Sequence, residues 1–354
     1  MNHDLSELLQ ARVKEAVAKK HTLAIVGGSS KSFLQPAKSD AELNISKHRG
    51  VLNYEPGELF MTARAGTPLT EIEALLADHK QMLACEPPHF SHGENQATLG
   101  GAIACGFSGS RRPFAGSLRD HVLGVKILNG EGELLQFGGQ VMKNVAGFDV
   151  SRLMVGARGT LGALLEISLK VMPKPEFEQT LLFECPRVNA PKRMSDFVRR
   201  SLPLSALAWF EGCIFVRLEG TETAIGNAYS QIGGEIAEQS ASFWLSLREQ
   251  SHPFFRRNQP LWRLSVPPAA DLPIPENEVF IDWHGGLRWW HTDQSAEQIQ
   301  AMVGKQGGYA YLFRDAAPVR GSLPPAGLLK IHQQLKKSFD PHGIFNPGLM
   351  GGSF

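Results

Sequence analysis

Apolar residues at Leu5, Leu8, Leu9, Val13 and Val17 recur with helical spacing, so the chain is expected to open with an amphipathic helix. Asp4 followed three residues later by Glu7 reads as its capping box. Residues 22–26 are a short buried-strand run that leads straight into Gly27-Gly28-Ser29-Ser30-Lys31-Ser32. A second strand is expected at 59–65, followed by a helix that Thr67 caps, with Pro68 at its first position and Ile72, Leu75 and Leu76 inside. A loop rich in Pro and His covers 85–95. Residues 122–128 and 133–137 form a hairpin about Asn129-Gly130, and 164–171 is a further strand before Pro173 and Pro175.

The second half patterns differently and carries all six tryptophans. Strands are expected at 206–210 and 214–218, with a helix at 222–232 that ends at Gly233-Gly234. The Pro-rich run 267–275 is a loop. Residues 279–283 and 287–290 form a hairpin turned by His284-Gly285-Gly286, and a last helix at 328–339 stops at Asp340-Pro341. A chain of 354 residues exceeds one ordinary core, and Pro173 to Pro175 is the expected boundary. That gives one domain over 1–175 and a second over 176–354.

Composition narrows the function classes. A hydrophobic fraction of 42% and a charged fraction of 20% are ordinary for a soluble protein. A net charge of +1 supplies no long-range field for nucleic acid or an anionic membrane. No stretch approaches the ~18 apolar residues of a membrane span, so no direct insertion is expected. The acidic, amphipathic start lacks the apolar core of a signal peptide, and a cytoplasmic location is expected. Cys85, Cys105, Cys185 and Cys213 show no CxxC spacing, which fits a reducing compartment and argues against a chain-borne iron–sulfur cluster.

The chemistry concentrates in glycines. Gly27-Gly28-Ser29-Ser30, where a strand meets a turn, can present backbone N–H groups to an anion, a pyrophosphate being the natural guest. It is neither a Walker A sequence nor GxGxxG, and alone it could be an ordinary turn. Residues 97–162 add Gly100-Gly101, Gly106, Gly109, Gly156, Gly159 and Gly162, each costing about 0.5–1 kcal/mol against Ala inside a packed element. Such a density points to a flat, anionic cofactor lying against backbone, read here as FAD. Cys85, His89 and His92 have no zinc spacing and read as a solvent-facing loop, so no metal site is assigned. Arg111-Arg112 and Lys336-Lys337 read as solvated charges, and Trp283 with Trp289-Trp290 as core or interface. His284 is a candidate base in a turn, but no nucleophile–base pair stands out, and the catalytic residues are left unassigned.

With these residues in hand, the first half resembles the FAD-binding domain of the vanillyl-alcohol oxidase / p-cresol methylhydroxylase (PCMH-type) flavoprotein family. The likeness rests on residues 27–32, on Thr98-Leu99-Gly100-Gly101 with Ala104 and Ser108, and on Gly147-Phe148-Asp149 with 156–162. It extends to the return from Asp340-Pro341 to Asn346-Pro347-Gly348. Cys85-Glu86-Pro87-Pro88-His89, residues 110–114, residues 137–147 and Ile281-Asp282-Trp283 look like the FAD-binding E subunits of bacterial glycolate oxidases, over nearly the whole length.

The resemblance implies an α+β fold: a two-lobed FAD-binding domain, a truncated cap-like domain, and a C-terminal segment, 338–350, returning to the flavin. It implies noncovalent FAD, since the loop at 27–32 has no His or Cys for attachment. The implied cofactor-binding residues are Gly27, Gly28, Ser29, Ser30, Lys31, Ser32, Pro88, Thr98, Gly100, Gly101, Ala104, Ser108, Gly156, Gly159, Gly162, Ile167 and Asn346. Amides of 27–30 and of Gly100-Gly101 would face the pyrophosphate, and the turn at 156–162 would admit adenine or ribose. The implied partners are a catalytic FAD subunit and an iron–sulfur subunit, with a small 2-hydroxy acid as substrate. Any contact with the inner membrane would come through those partners.

One departure matters. Relatives that oxidise 2-hydroxy acids carry paired metal-binding histidines and an acidic-His-Gly-Asp-Gly segment. Here the nearest sequence is Asp282-Trp283-His284-Gly285-Gly286, and no local Arg-plus-His set is evident for a carboxylate. Three readings stay open: an FAD-bearing subunit of a glycolate-oxidising complex, a paralogous assembly subunit, and a stand-alone hydroxy-acid dehydrogenase.

Overall fold

Helix Ser6–Lys19 forms where the apolar spacing expects it, because Leu9, Val13 and Ala16 all fall on one buried stripe. The computed structural model describes residues 3–34, 38–139, 149–315 and 326–349. By contacts the chain divides into two units. The first comprises Met1–Ser108, Ser117–Lys174 and Arg320–Phe354, and the second Gly109–Gly116 and Pro175–Val319. The division at 174/175 lies at the Pro-flanked boundary, but the chain crosses between units elsewhere too. Residues 109–116 belong to the second unit, and the C-terminal segment belongs to the first rather than to 176–354.

The strands of the first unit are β1 (Leu23–Val26), β2 (Ala41–Asn44), β3 (Val51–Glu55), β4 (Phe60–Arg64), β5 (Gln81–Met82), β6 (Val122–Leu128), β7 (Leu134–Gly138), β8 (Ala163–Lys170) and β9 (Met172–Pro173). An antiparallel sheet runs β3-β4-β8-β6-β7, so β8 is central and nearly every residue of it is buried. Separately, β1 pairs in parallel with β2, Leu23 opposite Ala41. The other edge of β1 takes the C-terminal segment: Leu23 N–H donates to the Ile344 carbonyl at 2.7 Å, and Asn346 N–H to the Leu23 carbonyl at 3.0 Å.

The second unit contributes β10 (Phe177–Glu184), β11 (Leu204–Phe210), β12 (Cys213–Gly220), β13 (Glu235–Ile236), β14 (Leu261–Ser265), β15 (Val279–Asp282), β16 (Leu287–His291) and β17 (Tyr309–Arg314). They form one sheet in the order β13-β10-β12-β11-β15-β16-β14-β17. Strand alternation sends Trp262, Leu264, Ile281 and Trp290 into a core with residues of helices Ala190–Val198, Glu222–Ile232 and Ala296–Lys305. The opposite face carries an aromatic layer, in which Phe210 stacks on Phe280 at 4.9 Å and Trp289 meets Phe313 edge-on at 4.9 Å. Each such buried ring contributes roughly 1.5–3 kcal/mol.

Several local expectations are corrected. Glu7 forms no capping box; Asp4 instead accepts from Ser6 N–H at 2.9 Å and from the Arg64 guanidinium at 2.7 Å. Thr67 does not cap helix Leu69–Asp78, whose cap position is Pro68, because the Thr67 hydroxyl accepts from Gly50 N–H at 2.9 Å. Arg111 is not a solvated charge: it is buried and ion-paired to Glu219. Lys336 is buried as well, against Asp340 at 2.6 Å, while Lys337 is exposed. The 85–95 loop is irregular, yet Cys85 and His89 are buried, with His89 Nε2 3.1 Å from Glu73. Burial pushes the Cys85 thiol up to about 12.

Two fully buried histidines set a pH dependence. Burial holds His48 and His291 below the ordinary histidine value of 6.5, outweighing the nearby groups that favour protonation. The unfolded chain therefore binds these protons first as pH falls. Their stabilising contribution is full above about 6.5 and is lost on acidification through the lowered folded-state values. Urea midpoints are expected to drop between pH 7.5 and 5.5, and replacing both rings by Gln should flatten that drop. A slope unchanged by the double replacement would contradict the assignment.

Candidate functional site

Strand β1 ends at Val26, and the chain enters the Gly27–Ser32 turn with Ser29 in the left-handed region at φ 57°. Ser29 bridges to Gln96, and the approach at Gly28 is so close that a Cβ there would lie 1.8 Å from the Gln96 carbonyl oxygen. None of the hydrogen bonds among the described residues uses the N–H of Gly27 or Gly28. Two donors at the end of a strand are therefore left without a protein acceptor among the described residues.

The next wall is helix Leu99–Cys105, capped by Thr98, whose hydroxyl accepts from Gly101 N–H at 3.3 Å. Here the expectation for Gly100-Gly101 is corrected. Gly100 N–H donates to the Ala65 carbonyl at 2.7 Å, so both amides already have protein acceptors. These glycines serve close packing instead: a Cβ on Gly100 would come 2.7 Å from that of Ala65.

A third wall is the turn at 156–162. Arg158 sits in the left-handed region at φ 52°, its N–H bonded to the Ala104 carbonyl at 2.8 Å. Asn346 holds this turn to β1. Its Oδ1 accepts from Ile25 N–H at 2.8 Å, and its Nδ2 donates to the Arg158 carbonyl at 2.7 Å. Gly159 (φ 71°) must be glycine, since a Cβ would fall 2.7 Å from that Nδ2. Asn346 thus spends its amide on the chain and acts as a clamp.

Together these segments line two adjoining clefts of unequal size, both open to solvent. Gly27, Gly28, Ser29, Ser30, Lys31, Ser32, Thr98, Gly101, Ala104 and Asn346 line the larger; Gly100, Gly159 and Gly162 line the smaller. Four expected residues lie outside both linings. Ser108 accepts from Leu118 N–H at 2.9 Å, Gly156 N–H donates to the Ile103 carbonyl at 3.0 Å, Ile167 is core in β8, and Pro88 is buried in its loop. Gly147 and Phe148 lie outside the described residues. Sequence reasoning missed Ile25, Leu34, Cys105, Arg158 and Leu349 as lining. Arg158 was discoverable, being the one cation inside the 156–162 run.

The electrostatics are one-sided. Lys31 and Arg158 line the larger cleft, and among the described residues no Asp or Glu lines either one. The Lys31 ammonium lies 3.1 Å from the His89 carbonyl and 3.3 Å from Ser30 Oγ. Two cations, two unused backbone donors and serine hydroxyls fit a pyrophosphate, while Ile25, Leu34, Ala104 and Leu349 offer apolar wall for flat rings. The residues present therefore fit FAD. Among the described residues no group of three or more His, Cys, Asp or Glu could hold a metal ion, and no helix is long and apolar enough to cross a membrane.

Residues 6–138 match the FAD binding domain family. The chain is 46% identical, over 98% of its own length and 97% of the relative's, to the glycolate oxidase subunit GlcE of Escherichia coli (strain K12). It belongs to that family. More distant relatives include the glycolate oxidase subunit GlcD of Bacillus subtilis (strain 168), 34% identical over 32% of this chain and 25% of that one. D-2-hydroxyglutarate dehydrogenase of Xanthomonas citri pv. viticola is 29% identical over 58% of this chain and 43% of that one. Among solved structures, an alkyldihydroxyacetonephosphate synthase shares the fold, with a TM-score of 0.68 at 17% identity, covering 96% of this chain and 75% of that chain.

Proposed function

We propose that this chain is an FAD-bearing subunit of an assembly that oxidises glycolate to glyoxylate. The observation that carries the reading is the cleft lined by Lys31 and Arg158 and, among the described residues, by no Asp or Glu, with unused Gly27 and Gly28 amides, in a chain so similar to a glycolate oxidase subunit. Bound FAD would supply the acceptor for the two electrons leaving the CH–OH carbon. Gly27, Gly28, Lys31 and Arg158 would hold its pyrophosphate, and Asn346 would keep two cleft walls in register. With no His or Cys at 27–32, the flavin is expected to be noncovalent. A second flavin subunit like GlcD and an iron–sulfur subunit are the proposed partners, in the cytoplasm, with any membrane contact made through them.

The test is the visible spectrum of the purified chain, followed by acid precipitation. Flavin bands that pass into the supernatant support noncovalent FAD; absence of flavin even after reconstitution sinks the reading. Anaerobic glycolate added to the chain alone, then with its partners, separates a subunit that reacts by itself from one that works only in the assembly.

A further inference from the structure

A second cluster of positive charge lies wholly within the second unit. On the aromatic face of its sheet, Arg263 of β14 stands opposite Trp289 and Tyr311 in the strand register. Its guanidinium carbon is 4.9 Å from the Trp283 ring centroid, 5.7 Å from that of Trp289 and 5.8 Å from that of Tyr311. Arg112, far away in sequence, stacks on the same Trp283 ring at 4.2 Å. Two guanidiniums thus converge on one indole.

Arg263 is only 8% exposed, and no carboxylate among the described residues pairs with it. Among the described residues it hydrogen-bonds to Ser265 Oγ, 3.2 Å from Nη1, and to the Tyr309 hydroxyl, which leaves most of the five N–H donors of a guanidinium without a protein acceptor there. Aromatic faces attract such a cation but cannot accept its N–H groups in the plane. A buried guanidinium normally meets an anion, and no carboxylate among the described residues of the unit supplies one to Arg263.

The indole at the centre is held under strain. Trp283 has φ 51° and His284 φ 45°, a left-handed run that bulky residues rarely adopt. It is fixed from three sides: Asp282 accepts from Trp283 N–H at 2.7 Å, Ser110 donates to Asp282 at 2.9 Å, and the indole N–H donates to the Gly109 carbonyl at 2.9 Å. Tyr309, opposite Ser265 in the register, responds to the same field. Burial alone would raise its phenol; hydrogen bonding to Ser265 and to Arg263, with the charges of Arg263 and Arg112, brings it below its usual value.

We infer that Arg263 and Arg112, with the Ser265 and Tyr309 hydroxyls, form a binding site for the carboxylate of a small organic acid on the second unit, walled by Trp283 and Trp289. The planar guanidinium fork suits a planar, bidentate oxyanion; that this is the carboxylate of a 2-hydroxy acid rests on the proposed function.

The test is calorimetric titration of the full chain with 2-hydroxyisobutyrate, which has no α-hydrogen to lose. The native chain should bind it, Arg263→Gln should weaken binding about tenfold or more, and Arg263→Lys, which keeps charge but not the fork, should fall between. Tyr309→Phe, on an exposed ring, should fold normally and lose a few-fold. The flavin spectrum, recorded on each sample, should not change with these variants. Equal binding by native chain and Arg263→Lys, equally tight binding of inorganic phosphate, or no binding at all would overturn the site. A chain that lacks flavin yet binds the acid would instead overturn only the proposed function.

Discussion

Gly28→Ala is expected to yield a chain that purifies with little or no flavin and unfolds at lower temperature. The new methyl would lie 1.8 Å from the Gln96 carbonyl oxygen, 2.9 Å from its carbon and 3.2 Å from Thr98 Cγ2. Two of these three atoms are backbone, so relief requires the Gly27–Ser32 turn to move as a unit. Overpacking of this kind costs about 1–3 kcal/mol. The same movement displaces the unused amides from the anion, and losing charge-assisted hydrogen bonds of about 1.5–3 kcal/mol each weakens binding tenfold to a hundredfold. Gly57→Ala is the control, since nothing lies within 4 Å of its added carbon. The ratio of flavin to protein absorbance after gel filtration decides it: stoichiometric flavin in Gly28→Ala would remove this turn from the binding site.

Asp340→Ala should be the most destabilising single change in the C-terminal segment. Lys336 Nζ donates to Asp340 at 2.6 Å, to the Thr160 carbonyl at 2.8 Å and to the Phe345 carbonyl at 2.9 Å. Asp340 in turn accepts from Ile344 N–H at 3.0 Å and Phe345 N–H at 2.8 Å. Removing the carboxylate strands a buried ammonium and two buried amides, costing about 3–5 kcal/mol. That is a large part of the roughly 5–15 kcal/mol that holds a typical fold. Lys336→Met keeps the stem and leaves Asp340 its two amide donors, so it should cost less. Burial lowers the Lys336 pKa more than Asp340 raises it, which marks an ammonium held at a desolvation cost. Asn346 and Leu349 line the cleft, so flavin should dissociate within the same urea transition. A loss under about 1 kcal/mol for Asp340→Ala would show that the pair does not anchor the segment.

Much of the fold was legible because local signals agreed with the tertiary outcome. The hairpin at Asn129-Gly130 and the helix Glu222–Ile232 with its Gly233 stop follow turn chemistry and capping that act within a few residues. Strands β14 and β17 were missed: Arg263 interrupts the apolar alternation of the first, and Tyr309 and Tyr311 blur that of the second. Of those interruptions Arg263 and Tyr309 belong to the proposed carboxylate site, where function overrides the pattern. The glycines near the flavin cleft were recognised as close-approach positions, but their separate tasks were not. Gly28 admits a neighbouring backbone, Gly100 a neighbouring methyl, and only the coordinates tell these from a glycine that meets a ligand. Arg111 and Lys336 looked like surface charge because their partners, Glu219 and Asp340 with its carbonyls, are fixed by tertiary folding.

The pairing of β1 with residues 344–346 bears on synthesis. A ribosome delivers β1 and the Gly27–Ser32 turn early, yet it must translate the whole second unit before Asn346 and Leu349 emerge to complete the pocket. The second unit can collapse on its own schedule, whereas the first waits, one edge of β1 unpaired, for a segment made some three hundred residues later. Cofactor loading is therefore a late event, and the interval before it is when this chain has most need of a chaperone.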